Sequence, residues 1–212
     1  MPSKINIYNS ALYALGSNAV ASETERSREA NLCNHFYEIA RKKTLSAFPW
    51  SFAVTVSEEL AENTDIEDEV WAHAYALPSD FLRVLGARIS INSNSILASL
   101  APYTNQDYYN VGVDPIFFEV REGYLYTNYE DVKIKYIKNV TDPALFTESF
   151  ALALSQKLAA LMAMALTGKQ QKWQAMEQAH ALSISEAKAQ DSKQGKKRLS
   201  SGYTYINSRR VL

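Results

Sequence analysis

The residues that could carry chemistry are few and far apart in this sequence. The three histidines, His35, His73 and His180, fall in three different segments, so their spacing provides neither a metal site nor a base beside a nucleophile. We interpret each of them as a surface or packing histidine. Cys33 is the single cysteine, which rules out an intrachain disulfide and a metal site of two thiolates from one chain. Within its helical pattern, Cys33 is expected to be a buried and unreactive thiol.

Carboxylates are the other group that could act on a substrate. A pair of them can hydrolyse a glycoside when they flank the sugar bond, and Glu119 and Glu122, close to a tyrosine-rich hairpin, are the pair to test first. The seven carboxylates between residues 58 and 69 are more simply interpreted as a solvated loop. None of the seven glycines forms a phosphate-binding loop pattern. The sequence therefore predicts no catalytic residue, no metal site and no cofactor.

The charges are distributed unevenly along the chain. Residues 192–212 contain six basic side chains and no acidic one, whereas the other residues contain 16 basic and 23 acidic side chains. A basic tail on an acidic body indicates either docking onto an acidic partner or a solvated, disordered end. Thirteen tyrosines could stack on bases, but basic and aromatic residues are not interleaved in one strand, so sequence-specific nucleic-acid binding is not expected.

The periodicity of the chain changes at residues 45–53, which we call the joint. Helical period precedes it, strand period follows it, and helical period returns near Thr147. Pro49 disfavours the α conformation at Phe48 and should end the helix there. Phe48, Trp50 and Phe52 are predicted to fill the core where helix meets sheet, with the last two on one face if the chain is extended.

Four helices are predicted around this joint. The first covers residues 4–15, with Ser3 as its cap and Gly16 at its end, and the second starts at a cap region over residues 22–25 and runs for about 23 residues. The third covers residues 147–166, and its apolar run of 17 residues indicates a buried helix rather than a membrane span. The fourth covers residues 169–189.

Strands are predicted between the helical parts. They include a hairpin around Arg121, Glu122 and Gly123 and an extended segment turned by Pro78. Residues 92–110 are predicted to form a long irregular stretch rather than a strand. Residues 132–138 alternate, and their lysines fit an exposed face or a sheet edge. The other predicted strands are residues 52–56, 83–91, 116–120 and 124–128.

Together these patterns predict an α+β fold. Residues 1–48 and 141–191 form an antiparallel helical bundle from both chain ends, residues 49–140 form an inserted, mostly antiparallel β region, and residues 192–212 form an extended basic tail. Two separate domains are the alternative, which is less favoured because the first two helices alone would bury too little surface. The N-terminus has no signal-peptide pattern, so folding in a reducing cytoplasm is expected.

A set of short motifs recurs in a fixed order over roughly residues 5–190. They are residues 7–16 (IYNSALYALG), 49–53 (PWSFA), 75–78 (YALP), 81–84 (FLRV), 134–137 (IKYI), 140–143 (VTDP) and the Ala/Leu-rich helix that ends at Thr167 and Gly168. In the order and spacing of these motifs the chain resembles the tail tubular protein A family, the head-to-tail adaptors of short-tailed bacteriophages.

The resemblance implies a structural role in a virion. Members of that family have a helical part with an inserted β part, and they form a ring of twelve copies between the portal and the tail nozzle, through which the genome passes. By resemblance, this chain is expected to form such a homo-oligomeric ring, to bind portal and nozzle proteins, and to be assembled in the host cytoplasm without a membrane. The resemblance provides no catalytic residue.

Two segments are predicted to bind partners. The basic tail also contains apolar residues, which a purely solvated tail would not need, so its residues are predicted to bind the portal, namely Arg198, Leu199, Tyr203, Tyr205, Ile206, Arg209 and Arg210. The polar, tyrosine-rich stretch containing Tyr103, Tyr108 and Tyr109 is predicted to contact the nozzle or a neighbouring subunit. Two other functions stay open at this point, a virion-associated glycan-degrading tail enzyme and a packaging factor that touches DNA.

Overall fold

The protein is described by a computed structural model that covers residues 2–89 and 116–194. Within these ranges the fold is α+β, with helices at both ends of the chain and a β region between them, as predicted. The helices are α1 (Lys4–Leu15), α2 (Arg28–Ser46), α3 (Glu148–Thr167) and α4 (Gln170–Gln194). The strands are β1 (Val54–Val56), β2 (His73–Ala76), β3 (Phe81–Ile89), β4 (Glu119–Arg121), β5 (Tyr124–Thr127) and β6 (Val132–Lys138).

Ser3, Gly16 and Gly168 mark helix ends as predicted, whereas Thr147, predicted as the first residue of the third helix, is the N-cap of α3. The Ser3 hydroxyl accepts a hydrogen bond from the N–H of Asn6, and Thr147 caps α3 through the N–H of Phe150. Gly16 and Gly168 end these helices in the left-handed conformation, which glycine adopts without a steric penalty. A short 3-10 turn, Pro143–Leu145, leads into α3.

The predicted start of the second helix was wrong. It begins at Arg28, with the Ser27 hydroxyl accepting from the N–H of Ala30, and not at residues 22–25. The acidic residues of that region have other partners: the Glu25 carboxylate accepts from the N–H of Ala21, and Glu23 pairs with Lys4. The segment is therefore a loop fixed against α1 rather than a helical first turn.

The strands form two antiparallel sheets in the described ranges, with orders β1–β6–β3 and β2–β5–β4. The predicted hairpin is confirmed, and Glu122 and Gly123 both have positive φ angles, as a two-residue type I′ turn requires. The edge position considered for residues 132–138 was wrong, because β6 is the central strand of its sheet. Its alternation is confirmed, with Val132, Ile134 and Tyr136 buried on one face.

The main core lies inside the helical bundle. Helix α3 contacts α1, α2 and α4 and buries side chains such as Leu154, Leu158 and Met162. By length and composition α3 could also cross a membrane, but in this fold it packs against the three other helices of the described ranges, which agrees with the predicted buried helix. A second, smaller core lies in the β region and includes Tyr75, Leu125 and Ile134.

The final helix is longer than predicted. It continues to Gln194, beyond the expected end near residue 189 and the expected start of the tail at residue 192. Asp191, the last residue of the predicted bundle segment, is a buried part of α4.

Candidate interaction surfaces

The joint is a cluster of aromatic rings at the boundary between the helical bundle and the sheets. Trp50 is fully buried, and its indole Nε1 donates a hydrogen bond to the Thr44 carbonyl at 3.0 Å. Its ring meets Phe48 and Phe150 edge to face at centroid distances of 5.3 and 5.1 Å. Phe52 stacks against Trp50 at 6.3 Å, although the chain turns here instead of running extended. The prediction of an aromatic core at this place is confirmed.

The last helix is hydrogen-bonded to the joint. The Asp191 carboxylate accepts hydrogen bonds from the backbone N–H of Ser51 at 3.0 Å and from the Ser51 hydroxyl at 2.7 Å. Asp191 is buried, so these bonds replace the water that a carboxylate otherwise requires. Sequence reasoning missed this contact, because no local pattern links residues so far apart.

Arg41 connects α2 to the end of β6. Its guanidinium is fully buried and donates to the Val140 carbonyl, to Asn139 Oδ1 at 2.9 Å and to Glu38. Hydrogen bonds from Arg41 hold the pKa of the Glu38 carboxyl below its usual value. Sequence reasoning missed this contact, because Asn139 and Val140 are 98 and 99 positions away from Arg41 in the chain.

A groove runs between the loop over residues 57–62 and the two sheets, and we call it the acidic groove. It consists of two adjoining concavities of about 310 and 410 Å³ that share Glu59 and Leu60. The first is also lined by Glu62, His73, Tyr75, Glu130 and Asp131, and the second by Val56, Ser57, Glu58, Ala61, Ala76, Leu77, Pro78 and Tyr136. Burial raises the pKa of Tyr75 to about 12, and the carboxylates of Glu62, Asp131 and Glu130 add to that rise. The first concavity is therefore strongly negative.

The β4 edge of the second sheet exposes apolar side chains. Phe117 is 77% exposed and Val70 is 71% exposed, and Val120 on β4 also faces solvent. Beside them, the Trp71 indole donates to Glu119 at 3.1 Å, and Arg121 pairs with Asp68 and lies over the Tyr126 ring at 4.3 Å. These exposed apolar side chains beside an ordered polar network make this edge a candidate contact surface.

The hairpin of α3 and α4 exposes a second apolar set. Residues 170–182 of α4 include no buried residue, although α4 contacts α3 along its length. Leu182 is 68% exposed and Trp173 is 40% exposed, and Leu152 and Met164 on α3 are about half exposed. This part of the bundle leaves large apolar side chains in solvent.

The histidines and the single thiol are not brought together. His35 packs on Phe36, His73 Nδ1 lies 2.7 Å from Glu62, and His180 Nδ1 lies 2.9 Å from the Ala153 carbonyl. Cys33 is buried, and burial raises the pKa of its thiol to about 12. Across residues 2–89 and 116–194, no group of three or more His, Cys, Asp or Glu side chains could hold a metal ion.

The carboxylate pair proposed from sequence flanks the β4–β5 turn. Glu119 lies opposite Tyr126 in the hairpin and accepts from Trp71, while Glu122 is in the turn itself. Neither residue lines the acidic groove. The predicted partner-binding residues lie outside the described ranges, namely Tyr103, Tyr108 and Tyr109 in the stretch before Ile116 and the seven tail residues from Arg198 to Arg210.

No family model matches the chain, and no curated protein matches it.

Proposed function

We propose that the protein is a structural connector, a head-to-tail adaptor that forms a ring of about twelve copies between the portal and the tail nozzle of a short-tailed phage. The motif order that resembles the tail tubular protein A family suggests this class. The observation that carries the proposal is the exposure of large apolar side chains on two separate parts of the subunit, the α3–α4 hairpin and the β4 edge.

A ring subunit needs two different surfaces that fit each other. When a surface on one copy meets a different surface on the next copy, the interface is heterologous, and it closes into a ring if the rotation allows. Leu152, Met164 and Leu182 on the helices and Val70 and Phe117 at the sheet edge offer two such surfaces. A single self-complementary patch would instead suit a two-fold dimer.

The rigid joint also supports a connector role. Trp50, Arg41 and Asp191 bind helix to sheet or helix to joint through buried contacts. Such contacts resist rotation of the β region against the bundle, because moving either part would leave buried polar groups without partners. A subunit that joins two larger assemblies benefits from this stiffness.

The charge distribution suits a channel through which DNA passes without being held. The chain before residue 192 carries 23 acidic and 16 basic side chains, and negative charge repels phosphate. In this proposal the basic tail, with Arg198, Arg209 and Arg210, binds carboxylates of the portal. Tyr103, Tyr108 and Tyr109 contact the nozzle or a neighbouring subunit.

The decisive experiment mixes the purified protein with portal rings and examines the particles by electron microscopy. Rings of added density that cap one face of the portal are expected. Portals that remain bare at saturating protein concentration would refute the proposal. Parallel assays for release of sugars from bacterial surface glycan and for salt-dependent binding to duplex DNA separate the glycan-degrading and DNA-binding alternatives.

A further inference from the structure

The turn between α3 and α4 carries exposed apolar side chains beside positive charge, and we call residues 164–173 the hairpin tip. Met164 is 52% exposed and Trp173 is 40% exposed. Because only two residues separate the helices, these two side chains lie at a similar level of the hairpin. Lys169 and Lys172 form no ion pair with any residue of the described ranges. The tip is therefore both apolar and positively charged.

Farther from the turn, the charges of the hairpin are already paired. Lys157 on α3 lies 2.6 and 2.9 Å from the two carboxylate oxygens of Glu177 on α4. Residues 158–176, between the members of this pair, contain no acidic side chain. The other strongly exposed apolar residues of the hairpin, Leu152 and Leu182, lie beyond the pair. Unpaired positive charge thus lies beside exposed apolar side chains at the tip rather than along the whole hairpin.

The β4 edge has the complementary composition. Its exposed apolar side chains are Val70, Phe117 and Val120. Asp68 pairs with Arg121 of β4 and thereby holds the loop that carries Val70 beside the strand. Three exposed carboxylates of this region form no ion pair with any residue of the described ranges, namely Glu67, Glu69 and Glu122. Because Arg121 is already paired, the rim of this apolar edge is negative.

A second copy of the chain offers the partner that each surface requires. Apolar side chains supply contact area, and opposite charges at the rim select the partner and fix its orientation. Within one subunit, α4 packs mainly on α3 and β4 packs mainly on β5. From Asp191, which is bonded to Ser51 at the joint, the axis of α4 extends about 31 Å to Gln170 at the tip. The tip therefore lies at the end of the bundle away from the joint, where it can meet the β4 edge of another copy.

We propose that the hairpin tip of one copy binds the β4 edge of the next copy. Met164 and Trp173 pack against Val70 and Phe117, and the two lysines of the tip lie beside the unpaired carboxylates of the edge. The contact is heterologous, so each copy uses its tip once and its edge once. Closure of such contacts into a ring rests on the proposed function, and the inference adds which two surfaces of the subunit meet.

Thiol cross-linking between two single-cysteine chains tests the contact. In a Cys33→Ala background, Gln171→Cys places a thiol at the tip and Val120→Cys places one on β4, and neither change removes a charge. A short bismaleimide is expected to join these two chains when they are mixed. Ser185→Cys, exposed toward the opposite end of α4, is the matched control and should give little product with Val120→Cys. A mixed product no greater than this control would overturn the proposal.

Charge reversal tests whether the two rims recognise each other. Replacing Lys169 and Lys172 by Glu should abolish the mixed product, because the tip then repels the carboxylates of the edge. Replacing Glu67, Glu69 and Glu122 by Lys should abolish it as well, and a reversed tip mixed with a reversed edge should restore it. A product that survives either single reversal would refute the charge pairing.

Matched substitutions on the hairpin test the apolar part of the contact. Met164→Ser should lower the cross-linking yield, because it removes apolar contact area at the tip. Leu182→Ser, at a site that is 68% exposed but lies beyond the Lys157–Glu177 pair, should leave the yield unchanged. Equal losses from both substitutions would overturn the assignment of the contact to the tip.

The portal experiment separates failure of this contact from failure of the connector role. If the chain with the reversed tip still forms the same closed ring on portals as the wild type, the tip contact is refuted and the connector role stands. If tip and edge cross-link while portals remain bare, the contact is supported and the connector role is refuted.

Discussion

Asp191 and Ser51 are 140 positions apart in the chain, yet the Asp191 carboxylate accepts hydrogen bonds from both the N–H and the hydroxyl of Ser51. The contact fixes the end of α4 beside Trp50 and at the start of the chain that leads into β1. The point where the tail leaves the folded body is thereby set relative to the sheet. The last helix and the joint form one structural unit in consequence.

Removing the Asp191 carboxylate is predicted to destabilise the fold. Asp191→Ala removes the charged acceptor of the Ser51 N–H and hydroxyl, which should lower the free energy of unfolding by about 1–3 kcal/mol, as expected for hydrogen bonds to a charged group. Asp191→Asn keeps an acceptor oxygen and should cost less. Glu186→Ala, on an exposed part of α4, is the matched control and should change little. Urea unfolding measures all three, and an Ala variant as stable as the control would contradict the assigned contact.

Trp50 is predicted to be the most sensitive aromatic residue. Trp50→Ala would open a cavity among Phe48, Phe52 and Phe150, at a cost of about 3–5 kcal/mol. Trp173→Ala removes the same side chain from a site that is 40% exposed, and it should cost less than half as much.

The two variants are best compared by thermal and urea unfolding under identical conditions. Similar losses at the two sites would mean that the joint is not the packing centre. Replacing Trp50 by Phe retains a ring but removes the hydrogen bond to the Thr44 carbonyl, so its loss should fall between the wild type and Trp50→Ala.

Features with a local signal could be predicted from the sequence. Pro49 and the helical period before it predicted the break at the joint, and Gly16 and Gly168 predicted two helix ends. Alternation predicted which face of β6 is buried, because successive side chains of a strand point to opposite faces whichever strands it pairs with. These signals depend on a few neighbouring residues, which is why they do not require knowledge of the whole fold.

Features that depend on distant partners could not be predicted. Ser22 and Ser27 are both good cap residues, and the pattern does not show that Glu23, between them, pairs with Lys4 on α1 instead of opening a helix. The central position of β6 depends on its pairing with β1 and β3, which a single strand pattern does not encode. Asp191 and Arg41 show the same limit, because their roles exist only once helix and sheet meet.

His180 is predicted to make stability depend on pH. Burial lowers the pKa of its imidazole, so the folded state favours the neutral ring that lies against the Ala153 carbonyl. Because the unfolded chain binds the proton more readily, this stabilisation is complete above the unfolded pKa near 6.5 and is lost as the pH falls toward the lower folded value.

The measurement is the free energy of unfolding across this pH range. His180→Gln should remove the part of the decrease that begins below pH of about 6.5, whereas His35→Gln, at an exposed site, should leave the decrease in place. If both variants kept the same pH profile as the wild type, the imidazole of His180 would not contribute to it.

A triple variant of the tyrosine-rich stretch tests the proposed contact with the nozzle protein. Replacing Tyr103, Tyr108 and Tyr109 together by Ser should leave helix content and thermal melting near those of the wild type, because the main core is formed by other residues. The same variant should fail to add nozzle protein to portal-bound rings. Assembly is scored by electron microscopy and sedimentation, and normal tails built from the triple variant would remove these residues from the proposed interface.

The tail is best tested by a deletion that begins at Gly195, because α4 continues to Gln194 and Asp191 belongs to the folded body. Deleting residues 195–212 should leave secondary structure and unfolding nearly unchanged yet abolish attachment to portals, since it removes five basic residues and six apolar or tyrosine residues together.

Deleting residues 191–212 is the informative comparison, because it also removes the acceptor of Ser51 and should lower the free energy of unfolding by about 1–3 kcal/mol. The difference between the two deletions separates the structural contribution of Asp191 from the binding contribution of the tail. If the shorter deletion attached to portals with full affinity, the portal contact would have to lie on the folded body, and the exposed α3–α4 hairpin would be the next surface to alter.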